Sequence, residues 1–275
     1  MSEPLAGERP PLGARSVRVA CLSDTGLQRE HNEDRFLLQE LGREPGERDP
    51  ETDVDLSRTL LLLAVCDGMG GAVAGEVAAS LSVEALAGRA RDGLDGVTEP
   101  EGLERWLVEG VLEANRLTWQ RALDDPALEG MGCTLTAALL GPAGMVLAHV
   151  GDSRAYHLRG GRLSRVTADH TLVGRLVAMG RITEEAARRH EQRHLLLEAI
   201  GGERDPEIDR NLLVLEGGDR LLLCSDGLTD LVADGEIEAV LSGEGSPSQH
   251  CARLVQMANA RGGVDNITVV VGHLS

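Results

Sequence analysis

The chain has 275 residues, 42% of them hydrophobic and 26% charged, a balance that supplies a sizeable core and excludes a wholly disordered chain. Asp plus Glu total 45 against 27 Lys plus Arg; the formal net charge of −18 repels phosphate backbones and anionic lipid, which excludes nucleic acid and membrane surfaces as partners and favours cations. Two tryptophans, one tyrosine and one phenylalanine offer no platform on which single-stranded bases would stack.

Residues 1–14 are rich in Pro and Gly and carry no apolar stretch behind a positive charge, so a disordered tail is expected there, with one domain over 15–275. Strands are predicted at 17–22 and 35–39, on either side of a charged turn. Segment 42–58, dense in Pro, Gly and charge, reads as a surface hairpin loop without chemistry of its own. The apolar run at 60–66 makes the next strand and is too short to span a bilayer. Amphipathic helices are predicted at 76–90 and 103–123 from apolar residues at three- and four-residue spacing. Strands at 134–140, 145–150, 154–158 and 162–166 follow, the last two joined by the hairpin signal Gly160-Gly161. Segment 170–194 holds short helical patterns at 172–179 and 183–190, is too polar for a core, and is expected as a flap beside a site. Strands at 211–215 and 220–224, a helix at 248–260 and a strand at 267–271 complete the chain. Strands that follow one another through turns, without strict strand–helix alternation, favour antiparallel sheets with packed helices, in a sandwich or barrel. The cysteines Cys21, Cys66, Cys133, Cys224 and Cys251 form no CxxC pair and read as buried reduced thiols of a cytoplasmic protein.

One arrangement recurs four times: an apolar run ends in Asp beside Gly or another small residue. It occurs in Cys66-Asp67-Gly68-Met69-Gly70-Gly71, Val150-Gly151-Asp152-Ser153-Arg154, Ser225-Asp226-Gly227 and Gly262-Gly263-Val264-Asp265-Asn266. An Asp at the end of a buried strand brings its carboxylate to a sheet rim, and the glycine lets the backbone turn there. A single Asp-Gly is an ordinary turn. Four gathered carboxylates repel one another unless a cation neutralises them, and an oxygen-only donor set selects Mg²⁺ or Mn²⁺ over zinc. Upstream, the stretch from Asp24 to Asp34 sets Arg29, a planar fork for two phosphate oxygens, beside Glu30, Glu33 and Asp34. Alone it is a solvated charged turn; with a carboxylate cage it describes a phosphate-ester hydrolase. A dinucleotide-binding glycine motif is excluded, because Val73 stands where the third glycine would be and Asp67 would repel a pyrophosphate.

In this order the motifs resemble the metal-dependent serine/threonine protein phosphatases of type 2C, the PPM family, in its compact bacterial form, from about residue 17 to the C-terminus. The resemblance implies an α+β fold, a four-layer α/β/β/α sandwich of two antiparallel sheets flanked by helices, with a small flap subdomain. It implies two Mn²⁺ or Mg²⁺ ions per site: Asp67, Asp226 and Asp265 around the first, Asp67 and the Gly68 carbonyl around the second. A third, weaker ion would lie at Asp152, shared with Asp226 and a flap carbonyl near His194. Phosphoserine and phosphothreonine would be hydrolysed by direct attack of a metal-bridging hydroxide, with Arg29 holding the phosphoryl oxygens and Glu33 and Asp34 acting through metal-bound waters. The implied partners are phosphoproteins, Ser/Thr kinases and their substrates, opposed in bacterial signalling by a monomer. A catalytically silent binding module is the rival reading, disfavoured by the presence of all three first-ion aspartates and Arg29. Met69 replaces the histidine found after Asp-Gly in eukaryotic relatives, leaving His31 and His170 as possible proton donors, each more simply a surface or structural histidine. A basic patch at Arg188, Arg189 and Arg193 is the place where an acidic phosphopeptide would be received.

Overall fold

The computed structural model describes residues 14–43, 51–94, 99–142 and 144–275, and the statements below refer to them. In chain order the elements are β1 (Ser16–Asp24), β2 (Arg35–Glu40), β3 (Glu51–Asp55), β4 (Leu61–Cys66), β5 (Gly68–Met69), α1 (Ala72–Asp92), α2 (Pro100–Asp124), β6 (Gly132–Cys133), β7 (Leu135–Gly141), β8 (Gly144–Val150), β9 (Arg154–Arg159), β10 (Arg162–Arg165), α3 (Leu172–Ala178), α4 (Glu184–Arg188), β11 (Asp209–Leu213), β12 (Arg220–Cys224), α5 (Asp226–Thr229), α6 (Asp234–Ser242), α7 (Pro247–Ala260) and β13 (Ile267–Leu274).

The strands form two antiparallel sheets, β10-β9-β12-β13-β1-β3 and β11-β8-β7-β4-β2, with β5 and β6 as a separate pair. Side-chain alternation dictates the layers. In β4 all six residues are buried, because both of its faces are covered. Leu61, Leu63 and Val65 meet Val19, Leu147, Leu223 and Val270 between the sheets. On the opposite face, Leu62 and Ala64 meet Leu86 of α1 and Leu107 and Val111 of α2. Ala20, Leu222, Val269 and Val271 likewise turn outward from the first sheet onto Ile237 of α6 and Leu254 of α7. The order is therefore helices, sheet, sheet, helices, and each buried leucine contributes roughly 2 kcal/mol. Helix α7 starts where its sequence dictates: Ser246 accepts from the Gln249 amide, Gln249 returns a bond to the Ser246 amide, and Pro247 occupies the first turn.

Segment 42–58 departs from the expected loop. Residues 44–50 lie outside the described residues, but Glu51–Asp55 forms β3, an edge strand paired with β1 from Ser16↔Asp55 to Ala20↔Glu51. A segment this polar takes strand form because the edge of β1 offers unpaired backbone groups and because Val54, 2% exposed, reaches the core. Helices α5 and α6 were not expected either; both are short and begin with acidic residues. Of the expected tail, residues 1–13 lie outside the described residues, whereas Ala14 is buried and donates its amide to Leu215 O. The segment 170–194 carries α3 and α4, capped by Thr171 and Thr183. No helix among the described residues is long and apolar enough to cross a membrane.

Candidate metal centre

The four strand-end aspartates converge because inner strands of both sheets end at the same edge. Asp67 follows β4 and is locked in place by Thr134, whose Oγ1 accepts the Asp67 amide at 3.0 Å and whose own amide donates to Asp67 O at 2.8 Å. Thr134 Oγ1 also meets Ser153 Oγ at 2.6 Å, tying in the turn that carries Asp152. Asp226 follows β12 at the start of α5. Its neighbour Ser225 donates from Oγ to Asp34 Oδ2 at 2.7 Å and accepts the Thr268 amide at 3.0 Å. Asp265 precedes β13, and Asn266 staples the Arg29 loop to it: Oδ1 accepts the Glu33 amide at 2.8 Å, while Nδ2 donates to Thr25 O and His31 O, each at 2.9 Å. Two close approaches require glycine here. A Cβ at Gly68 would strike the Gly75 carbonyl, and one at Gly26, with φ of 77°, would strike Asp265 O.

Arg29, Glu33, Asp67, Gly68, Asp152, Asp226 and Asp265 thus line one open cleft of about 590 Å³, with Met69, His31 and His194 on its walls. Asp34 lies behind it, 2% exposed, and its Oδ1 has no hydrogen-bond partner. Burial, then the charges of Asp34, Asp226 and Asp152, push the Asp67 carboxyl well above the usual range. Asp152 is raised by burial and then by Asp226. Burial, then Asp230, pushes Asp226 up to about 6, against the hydrogen bond it shares with Asp67. Asp34 is raised by burial to about 7, opposed by the hydroxyls of Ser225 and Thr268. Such a set is a site short of positive charge: four carboxyls and an orphaned carboxylate oxygen, a donor set dominated by oxygen, fit hard divalent cations. Among the described residues that line the cleft, Arg29 is the one arginine; it donates from Nη2 to Asp265 Oδ2 at 2.7 Å on the outer rim, its side chain 49% exposed.

A family model described as protein phosphatase 2C matches residues 51–267. The chain belongs to the protein phosphatase 2C family. It is 36% identical over 250 residues to the serine/threonine phosphatase stp of Listeria welshimeri, covering 90% of this chain and 92% of that one. Among solved structures, the serine/threonine phosphatase of S. agalactiae superposes with a TM-score of 0.82 at 30% identity, covering 94% of this chain and 100% of that one. The catalytic domain of the serine/threonine protein phosphatase PstP, solved with two manganese ions, superposes with a TM-score of 0.76 at 38% identity, covering 94% of this chain and 98% of that one. The fold expected of a type 2C phosphatase, two antiparallel sheets flanked by helices, is the one observed, and the chain is a protein serine/threonine phosphatase.

Other sequence expectations for this phosphatase are refined by position. His31 lines the cleft, whereas His170 turns away from it onto Asp209, 3.2 Å distant. Near His194 it is the side chain that approaches the carboxylates: His194, Asp226 and Asp230 each offer a ligand atom within 4.8 Å of one another. The expected basic patch is largely spent, since Arg188 pairs with Asp234 at 3.3 Å and Arg189 with Glu185 at 2.9 Å. Thr134, Ser153 and Ser225 went unassigned in the sequence because a hydroxyl that supports a carboxylate shows no pattern until the strands are side by side.

Proposed function

We propose that this chain removes phosphate from phosphoserine and phosphothreonine in proteins, opposing Ser/Thr kinases, with Mn²⁺ or Mg²⁺ held at the carboxylate end of the sandwich. Asp67, Asp226 and Asp265 would hold one ion, Asp67 and the Gly68 carbonyl a second, and Asp152 with Asp226 a weaker third. When bound, such ions supply an acidified water and offset negative charge on the phosphoryl group. Thr134 and Ser153 hold Asp67 and the Asp152 turn in place, so the carboxylates need no rearrangement as substrate enters. Glu33 and Asp34 accept hydrogen bonds from water at the site and orient it. Arg29, on an exposed rim, swings its fork from Asp265 to two phosphoryl oxygens and offsets the charge they accumulate. Met69 gives no proton to the departing serine or threonine oxygen, so that proton comes from the open cleft, whose wall carries the imidazoles of His31 and His194.

The observation that carries this reading is the cluster of mutually repelling carboxyls facing one arginine across an open cleft. Hydrolysis of a phosphothreonine peptide by chelator-dialysed protein tests it. Turnover is expected only after Mn²⁺ or Mg²⁺ is restored, and Asp226→Asn should lose both turnover and Mn²⁺ affinity while still melting cooperatively. Full turnover in excess chelator refutes the reading.

A further inference from the structure

His170 lies outside the cleft, yet it touches every segment on which the flap turns. Its side chain is 11% exposed, and Nε2 lies 3.2 Å from Asp209 Oδ2 at the start of β11. The Gly151 amide donates to His170 Nδ1 at 3.3 Å. Because Nδ1 accepts, the ring proton sits on Nε2, which faces the Asp209 carboxylate at 3.2 Å. Backbone bonds repeat the link: His170 N donates to Gly151 O at 2.8 Å, Leu197 N to His170 O at 2.8 Å, and Leu172 N to Leu195 O at 2.9 Å, so the entrance and exit of the flap close on this residue. The ring packs on His149 with centroids 4.8 Å apart, and His149 faces Asp209 in the pairing of β8 with β11. Gly151, whose amide His170 holds, has a φ of 107° and directly precedes Asp152. A glycine in that conformation has little intrinsic preference for where its amide points, so the partner sets the direction.

We propose that His170, oriented by Asp209, is a positioning residue: it holds the Gly151 amide, thereby aims the Asp152 carboxylate into the cleft, and hinges the flap to the same turn. The geometry stands by itself; that Asp152 then holds an ion rests on the phosphatase reading above. Asp209 fixes the tautomer, His170 transmits it to the amide, and the turn delivers the carboxylate. Rotation or loss of the ring releases the Gly151 amide and with it the aim of Asp152, while the main-chain bonds still tie the base of the flap to the same turn.

Three variants separate positioning from packing. His170→Asn places a carbonyl oxygen near the Nδ1 position and keeps an acceptor for Gly151, whereas His170→Gln places its amide nitrogen near Nε2 and keeps only the donor to Asp209. Asp209→Ala removes the orienting carboxylate from a half-exposed position and leaves the core untouched. Calorimetric titration with Mn²⁺ and kcat and KM for a phosphothreonine peptide are measured on each, with the melting temperature as a check on folding. For His170→Gln and Asp209→Ala, the weakest Mn²⁺ binding phase should weaken about tenfold and kcat fall about tenfold at nearly unchanged KM. His170→Asn should stay within about threefold of the parent in both. Equal losses in His170→Asn and His170→Gln, or parent-like Mn²⁺ binding in Asp209→Ala, overturn the proposal; should His170→Gln fail to fold, Asp209→Ala decides alone. An inactive parent overturns the phosphatase reading instead, and the calorimetric comparison still judges His170.

Discussion

Replacing Asp226 by Asn in chelated protein should stabilise the fold at pH 7.5, although it removes a group at the heart of the site. Burial and Asp230 raise the Asp226 carboxyl from 3.8 to about 6. One pKa unit corresponds to about 1.4 kcal/mol, so keeping this side chain ionised costs the fold about 3 kcal/mol. The sign follows from proton uptake. Between about pH 4 and 6 the folded state binds a proton at Asp226 that the unfolded chain has lost, so stability falls as the pH rises through that window and reaches its full loss above it. Asparagine carries no charge, and the variant should exceed the parent by about 3 kcal/mol at pH 7.5, roughly 6–12 °C in Tm for a chain of this size, with the gain gone near pH 4. The parent's own pH profile would hide the effect, because burial lowers the imidazoles of His149 and His273 to about 4 and makes them favour folding as the pH rises toward about 6.5. The difference between variant and parent cancels the histidines. Urea unfolding in chelator at several pH values provides the assay, and added Mn²⁺ should reverse the order, because only the parent retains the full ligand set. A variant less stable than the parent by the same amount at pH 4.5 and 7.5 would refute the repulsion argument.

Arg29→Ala should raise KM for a phosphopeptide by about 30–150-fold, the loss of a charge-assisted contact of about 2–3 kcal/mol. Because Arg29 occupies Asp265 Oδ2 at 2.7 Å, the same variant should tighten Mn²⁺ by about two- to fivefold, as expected for an exposed pair; weaker Mn²⁺ binding by calorimetry would show that the pair does not compete with the ion. Gly227→Ala drives a Cβ into the Asn266 carbonyl and should cost about 1–3 kcal/mol in urea unfolding, with an unchanged midpoint as the contrary result. Asp169→Ala leaves the largely enclosed Arg154 guanidinium, otherwise paired at 2.6 Å, without its carboxylate. It should lose about 3–5 kcal/mol of stability, and a melting temperature equal to the parent's would contradict that account.

Much of this architecture was legible as local pattern. The apolar runs of β4 and of residues 221–224 in β12, the glycines beside Asp67 and Asp226, and the helical spacing of α1, α2 and α7 each report on backbone form and facing within a few residues, where period and turn chemistry operate. The polar strand β3 was not legible, since its pairing depends on a free edge of β1 roughly thirty to forty residues away in the chain. The four Asp signals marked sheet rims but could not show that they share one, because convergence depends on which strands pair. Only the folded chain places Asp34 behind Ser225, sets Arg29 on Asp265 and turns His170 from the cleft onto Asp209. Composition and motif therefore determined that this acidic chain builds a sandwich with carboxylates at strand ends. Tertiary structure decided which of its charges meet, since a carboxyl's affinity for protons and cations depends on neighbours a few ångströms away in space and up to hundreds of residues away in sequence.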